Sequence, residues 1–358
     1  MKWSWRIGSL AGIPVFIHAT FLLIVVWVIL VHAWQGSSLV GTLAGLLFVA
    51  AIFGCVILHE LGHALTARRF DVQTRDIILL PIGCVARLER MPERPAHEFW
   101  VAIAGPMVNV VIAILLGVGL WIGQTWQPLQ DLTVSTGPFA QRLLVVNVFL
   151  FAFNLLPAFP MDGGRIFRAL LAMRMDYVRA TRAAASLGQG MALLFGLIGL
   201  FTNPFLILIA FFVWIGAAGE SSNVELRDLL QGVPVNRTMI TDFRILEPSS
   251  TLAEAARLVL QTHQQDFPVV QRGELVGLLT RSDLFRALAE QDRDAAVVVA
   301  MRDDFPRVQA GEEVRDLLPR MQDLSAVPVM DGDRLVGMMT LENLQEYLAI
   351  QAALSGRE

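Results

Sequence analysis

The sequence predicts a polytopic α-helical membrane domain with short membrane-associated strands, followed by a soluble α+β domain made of two repeated halves. Three observations point there. Of 358 residues, 55% are hydrophobic and 17% charged, with a mean hydropathy of +0.56, against the roughly 25% charge of ordinary soluble domains. The charge is also split: residues 1–220 hold 14 Lys/Arg and 10 Asp/Glu, whereas residues 221–358 hold 14 and 22. Third, a segment near residue 270 recurs 60 residues later. No Lys/Arg-dense run suits a nucleic acid. The composition also excludes a disordered, collagen-like or small disulfide-stapled chain. Both cysteines, Cys55 and Cys84, fall in apolar sequence, which argues against a disulfide framework.

A membrane-crossing helix needs about 20 apolar residues. The run 13–31 qualifies, and it is too long for a signal peptide and lacks a small-residue cleavage site. Further spans are expected at 39–65, 101–122, 139–156, 184–201 and 205–219. The last two are divided by the turn signal Thr202-Asn203-Pro204; a single kinked span over 184–219 is the alternative. Arginines crowd the loops 67–98 and 158–183, while 32–38 and 123–138 hold no Lys or Arg. The positive-inside rule then expects a multi-pass inner-membrane protein with its N-terminus and, after six spans, its C-terminal domain in the cytoplasm. The apolar Ile77–Leu80 is followed by Pro81 and Gly83 and then by the alternating Cys84-Val85-Ala86-Arg87-Leu88-Glu89, which reads as short strands. Trp3, Trp5, Trp34, Trp100 and Trp126 flank the spans as an aromatic belt in contact with the lipid bilayer would.

The sharpest chemical signal is His59-Glu60-Leu61-Gly62-His63. On a helix, positions i and i+4 share a face, so both imidazoles reach one zinc ion. Glu60 lies beside them as a base for a water that such an ion activates. Ionisable groups within a bilayer are costly, which makes chance a poor explanation. Zinc needs a third protein ligand. Asp162, at the end of the fourth span, lies at the same expected depth as His59. Its bland reading is the N-cap of a helix over 165–173. His18, Cys55, Asn109 and Asn147 read as packing or interhelical hydrogen-bonding residues, and His97 as a solvated loop residue.

Together these elements resemble the site-2 proteases, a family of intramembrane zinc metalloproteases. The matching residues are His59-Glu60-Leu61-Gly62-His63, Met161-Asp162-Gly163, Gly105-Pro106-Met107-Val108-Asn109, and Gly12-Ile13-Pro14 with His18. The resemblance implies hydrolysis of a membrane-spanning or membrane-tethered protein substrate in regulated intramembrane proteolysis. It makes His59, His63 and Asp162 ligands of one Zn2+ and Glu60 the catalytic base. Asn154 would hold the substrate backbone, and the segment from Gly83 would offer it a strand edge. Where the family commonly carries a second glycine, this chain has Cys84.

The repeat runs from Asp266-Phe267-Pro268-Val269-Val270 to Gly277-Leu278-Leu279-Thr280, and again from Ala326-Val327-Pro328-Val329-Met330 to Gly337-Met338-Met339-Thr340. Each copy reads helix, strand, tight turn, strand, helix. This resembles a tandem pair of cystathionine-β-synthase (CBS) domains, expected at 233–290 and 291–350, joined by a linker over 221–232 to a membrane domain over 1–220. The resemblance implies binding of an adenine nucleotide (ATP, ADP or AMP) at Thr280, Asp283 and Thr340. Asn343 replaces the acid in the second copy. A homodimerisation module is the plain alternative. A CBS-regulated transporter or channel is the rival function, but it leaves Glu60 and both histidines without a task. A catalytically dead membrane scaffold is the other rival, and the intact motif argues against it.

Overall fold

The computed structural model describes residues 3–355, apart from 82, 89–93, 128–136, 263 and 322–324. The expected outer loop 123–138 therefore lies largely outside the described residues, as does part of the Arg-rich stretch 67–98. The chain divides into two compact units, Met1–Val224 and Glu225–Glu358.

The first unit opens with a strand pair, which corrects the first expected span. Strand β1 (Ser4–Leu10) and strand β2 (Ile13–His18) form an antiparallel hairpin. Ala11 and Gly12 turn it with φ of 51° and 87°, the paired left-handed conformation that matches strand twist. In β2 the apolar Ile13, Val15 and Ile17 alternate along the strand, and Ile13 and Val15 are buried. Hydropathy alone merged them with the following helix. That helix begins where His18 Nδ1 accepts from the Thr20 amide (3.3 Å) and continues as α1 (Leu22–Trp34). Strand β2 pairs in parallel with β3 (Thr74–Leu80), which pairs antiparallel with β4 (Gly83–Leu88), giving the order β1-β2-β3-β4. The parallel step needs a long crossover, supplied by α1 and α2 (Leu39–Arg68). Ile13, Val15, Ile77 and Leu79 pack with Ile57, Leu61 and Ala64 of α2. The sheet thus lies on the stretch of α2 that carries His59 and His63.

Among the described residues, four helices are long and apolar enough to cross a membrane: α2, α3 (Pro95–Ile122), α6 (Tyr177–Phe201) and α7 (Pro204–Leu229). The helix over Ala19–Trp34 and α4 (Phe139–Asn154) are apolar but shorter. The break at 202–203 divides α6 from α7 as expected, and α7 is helical through most of the expected linker, to Leu229. Close approach rests on small residues. A Cβ on Gly62 of α2 would stand 2.9 Å from the Ala104 carbonyl oxygen of α3. Helix α5 (Asp162–Ala172) starts at Asp162, with Met161 as its N-cap, so Asp162 is not the cap. Any side chain on Gly163 or Gly164 would collide with the backbone of residues 155–159, and this seats the start of α5 on that loop. His97 is also corrected: it lies on α3, stacked 4.1 Å from Phe70.

In the second unit, each half has the order helix, hairpin, helix. The first is α8 (Leu252–Gln261), β5 (Phe267–Gln271), β6 (Glu274–Leu279) and α9 (Arg281–Glu290). The second is β7 (Val308–Gln309), α10 (Val314–Leu317), β8 (Ala326–Asp331), β9 (Arg334–Thr340) and α11 (Leu341–Ser355). The halves repeat in detail. Both hairpins shift register at matching places, Val269/Val270 and Val329/Met330. Gly277 and Gly337 admit Met301 and Met239 at matching positions, where a Cβ would collide with the thioether. Each half has its own core, one around Phe267 and Leu279 and the other around Val327 and Met339. Leu278, Ala326 and Met338 join them.

Candidate metal centre

Helix periodicity brings His59 and His63 to one face of α2, both buried. Asp162 reaches them from the first turn of α5. The Nε2 atoms of His59 and His63 lie 3.1 Å apart, and each lies 3.1 Å from Asp162 Oδ2. Helix α3 orients both rings. His59 Nδ1 donates to Asn109 Oδ1 at 2.8 Å, and His63 Nδ1 donates to the Val101 carbonyl at 2.7 Å. A proton on each Nδ1 leaves each Nε2 with its lone pair facing inward in the neutral ring. Three lone-pair atoms so close repel one another unless a cation lies among them. Tetrahedral zinc with bonds of ~2.0–2.1 Å spaces its ligand atoms by about 3.3 Å, close to the separations here. His59, His63 and Asp162 form the one such group of metal-ligating side chains among the described residues.

Gly105 makes room for the rings. A Cβ there would stand 2.7 Å from His59 Nε2 and closer still to His63. Glu60, next to His59 on α2, is half-buried. It lies within electrostatic reach of both histidines, Asp162 and Arg165. Cys84 of β4 is also within reach of Glu60; burial foremost, and then the Glu60 charge, push its thiol up to about 12, so it stays protonated and inert. Cys55, one turn before His59, is a buried thiol that accepts from Asn147 Nδ2 at 3.4 Å. Asn154 ends α4, its Nδ2 donating to the Leu150 carbonyl at 3.0 Å. Gly83 opens β4 with φ of 136°.

The sequence reading missed what α3 does. Asn109, expected to bridge helices, holds His59, and Val101 holds His63 through its backbone. Their signal was the spacing 101, 105, 109, one stripe of a helix. It also counted Arg168 as a loop cation, whereas the guanidinium is fully buried.

In the second unit, Thr280 caps α9 and donates to Asp283 Oδ2 at 2.6 Å. Arg302 pairs with the same carboxylate at 2.5 Å. Burial alone would raise the Asp283 pKa, but hydrogen bonds from Arg302 and Thr280 and nearby positive charge hold it below the ordinary carboxylate range. In the other half Thr340 Oγ1 accepts from the Asn343 amide at 3.1 Å.

Comparison with known proteins assigns both units to families. The peptidase family M50 model matches residues 47–136 and 130–197, and the CBS domain model matches 233–290 and 295–350. A zinc metalloprotease of Methanocaldococcus jannaschii is 32% identical over 353 residues, covering 98% of this chain and 97% of that one. Rip3 of Mycobacterium tuberculosis is 30% identical over 380 residues, covering 98% and 94%. The solved site-2 protease from M. jannaschii aligns with 38% identity over 61% of this chain and 95% of that one, at a TM-score of 0.46. The chain belongs to peptidase family M50, the site-2 proteases. It is an integral membrane member of that zinc metalloprotease family and carries a CBS domain pair.

Gly105→Ala should abolish stoichiometric zinc binding, because its methyl group enters the space of the two imidazoles. Gly119→Ala, where a Cβ meets nothing within 4 Å, should leave it intact. Metal analysis of the two purified variants checks this.

Proposed function

We propose that this chain is an endopeptidase that cuts a membrane-spanning or membrane-tethered protein at the His59–His63–Asp162 centre. The observation that carries the reading is the convergence of three buried ligand atoms, with Glu60 beside them, where α2, a helix long and apolar enough to cross a membrane, meets the first turn of α5. A zinc ion held by these three residues would supply Lewis acidity toward the scissile carbonyl and toward water. Glu60 takes the proton as the water oxygen bonds to the carbonyl carbon. It returns that proton to the amine nitrogen as the carbon–nitrogen bond breaks.

Strand β4 is the outermost strand on its side of the sheet, and Cys84 within it lies near Glu60. An extended substrate segment added along β4 from Gly83 therefore comes close to the catalytic acid. Asn154 is the residue read as holding the substrate backbone; to do so its amide must turn away from the Leu150 carbonyl it now meets. A Glu60→Gln protein should keep about one zinc per chain and lose cleavage, so that substrate accumulates uncut in a proteome comparison with wild type. Undiminished cleavage by that variant would reject the mechanism.

The reading extends to regulation. With its Arg-rich segments inside, the CBS pair faces the cytoplasm, where Thr280 and Asp283 form the better-matched nucleotide half-site and Thr340 the weaker one. Homodimerisation through the pair fits the same architecture. Nucleotide binding can shift access to the zinc site only by its differential affinity for two arrangements of the protein. A fluorescent ADP analogue should bind inside-out vesicles and not right-side-out ones. Asp283→Ala should weaken that binding more than Asn343→Ala does. Failure of ATP, ADP and AMP to compete at millimolar concentration would leave the pair as a dimerisation or docking element.

A further inference from the structure

Arg168 lies on α5, six residues beyond Asp162, and its side chain has 0% exposure. A guanidinium taken fully from water is costly unless every arm is met. Here Nε donates to Glu98 Oε1 at 2.8 Å, and Nη2 meets the same carboxylate. Nη1 donates to Glu220 Oε1 of α7 at 2.5 Å. The Phe159 and Tyr177 rings each lie 5.0 Å from the guanidinium carbon. One side chain therefore touches α3, α6, α7 and the loop that seats the start of α5.

The position of Glu98 gives this cluster its meaning. Glu98 precedes by one turn Val101, whose carbonyl fixes His63. It heads the buried stripe of α3 that continues through Gly105, where the rings rest, to Asn109, which fixes His59. The Arg168–Glu98 pair thus ties the helix bearing Asp162 to the helix that aims both imidazoles. Buried ion pairs add little stability over an apolar pair of similar volume, and the place of this one, between the helix of Asp162 and the helix that orients both imidazoles, points to fixing geometry as its use.

We infer that Arg168 and Glu98 are positioning residues for the metal centre, setting the approach of Asp162 to the His59–His63 edge. The inference rests on the assignment of those three residues as ligands.

The test loads the full-length protein in detergent with Co2+, whose ligand-field absorption reports ligand number and geometry. In the double variant Glu98→Leu with Arg168→Met, apolar side chains replace the pair, so the protein should remain folded by its unfolding midpoint and tryptophan emission. Its Co2+ affinity should fall at least tenfold, as expected when a partner that orients a ligand is lost. Its spectrum should move toward that of Asp162→Ala. A folded double variant with wild-type affinity and spectrum overturns the inference, since a purely structural pair would shift only the midpoint. Should the double variant not fold, Arg168→Lys decides: lysine keeps the charge but loses the planar fork, and a wild-type spectrum there is equally fatal. Full Co2+ affinity in Asp162→Ala would instead sink the ligand assignment itself, and this inference with it.

Discussion

Three lone-pair atoms held 3.1 Å apart in a buried pocket constrain everything around them. Neutral imidazoles turned nitrogen to nitrogen, facing a carboxylate, are stable only around a cation, and only if backbone and side chains hold them there. Three helices must then approach more closely than ordinary side chains allow. The glycines answer that need. Gly62 brings α2 against α3, Gly105 clears the space of the rings, and Gly163 and Gly164 let α5 lie on the backbone before it.

Orientation is divided between helices. Helix α2 supplies both imidazoles and Glu60, but their tautomers are set from α3 by Asn109 and Val101. Helix α5 supplies the acid. Because α3 also carries Glu98, the partner of Arg168, one helix orients both imidazoles and holds the buried arginine of the helix that bears Asp162. The sheet closes the other side of α2 and brings β4 near Glu60. A peptide carried on that strand edge would come close to the acid without any large movement of the ligands.

Much of this was legible in the residues. Histidines at i and i+4 announce a shared face, and Asp162 followed from matching depth in two apolar runs. The 60-residue repeat gave both halves of the second unit because each carries the same glycines and the same Val-Pro-Val-like strand. What failed has physical causes. Hydropathy is blind to period when strand and helix are both apolar and adjacent, so β2 was absorbed into a span. Charge counting assumes that arginines face water, yet Arg168 finds Glu98 seventy positions away in the sequence. A fold-wide pairing of that kind leaves no local trace. Asp283 was legible as an acid in the right place, but the guanidinium of Arg302 that now occupies it was not.

The central claim is that His59, His63 and Asp162 bind one metal ion together. Zinc K-edge absorption of the zinc-loaded protein tests it most directly. The account predicts two imidazole nitrogens at ~2.0–2.1 Å with carboxylate or water oxygens completing a four-coordinate shell, and no sulfur scatterer. A shell containing sulfur, or one with fewer than two imidazoles, would contradict it.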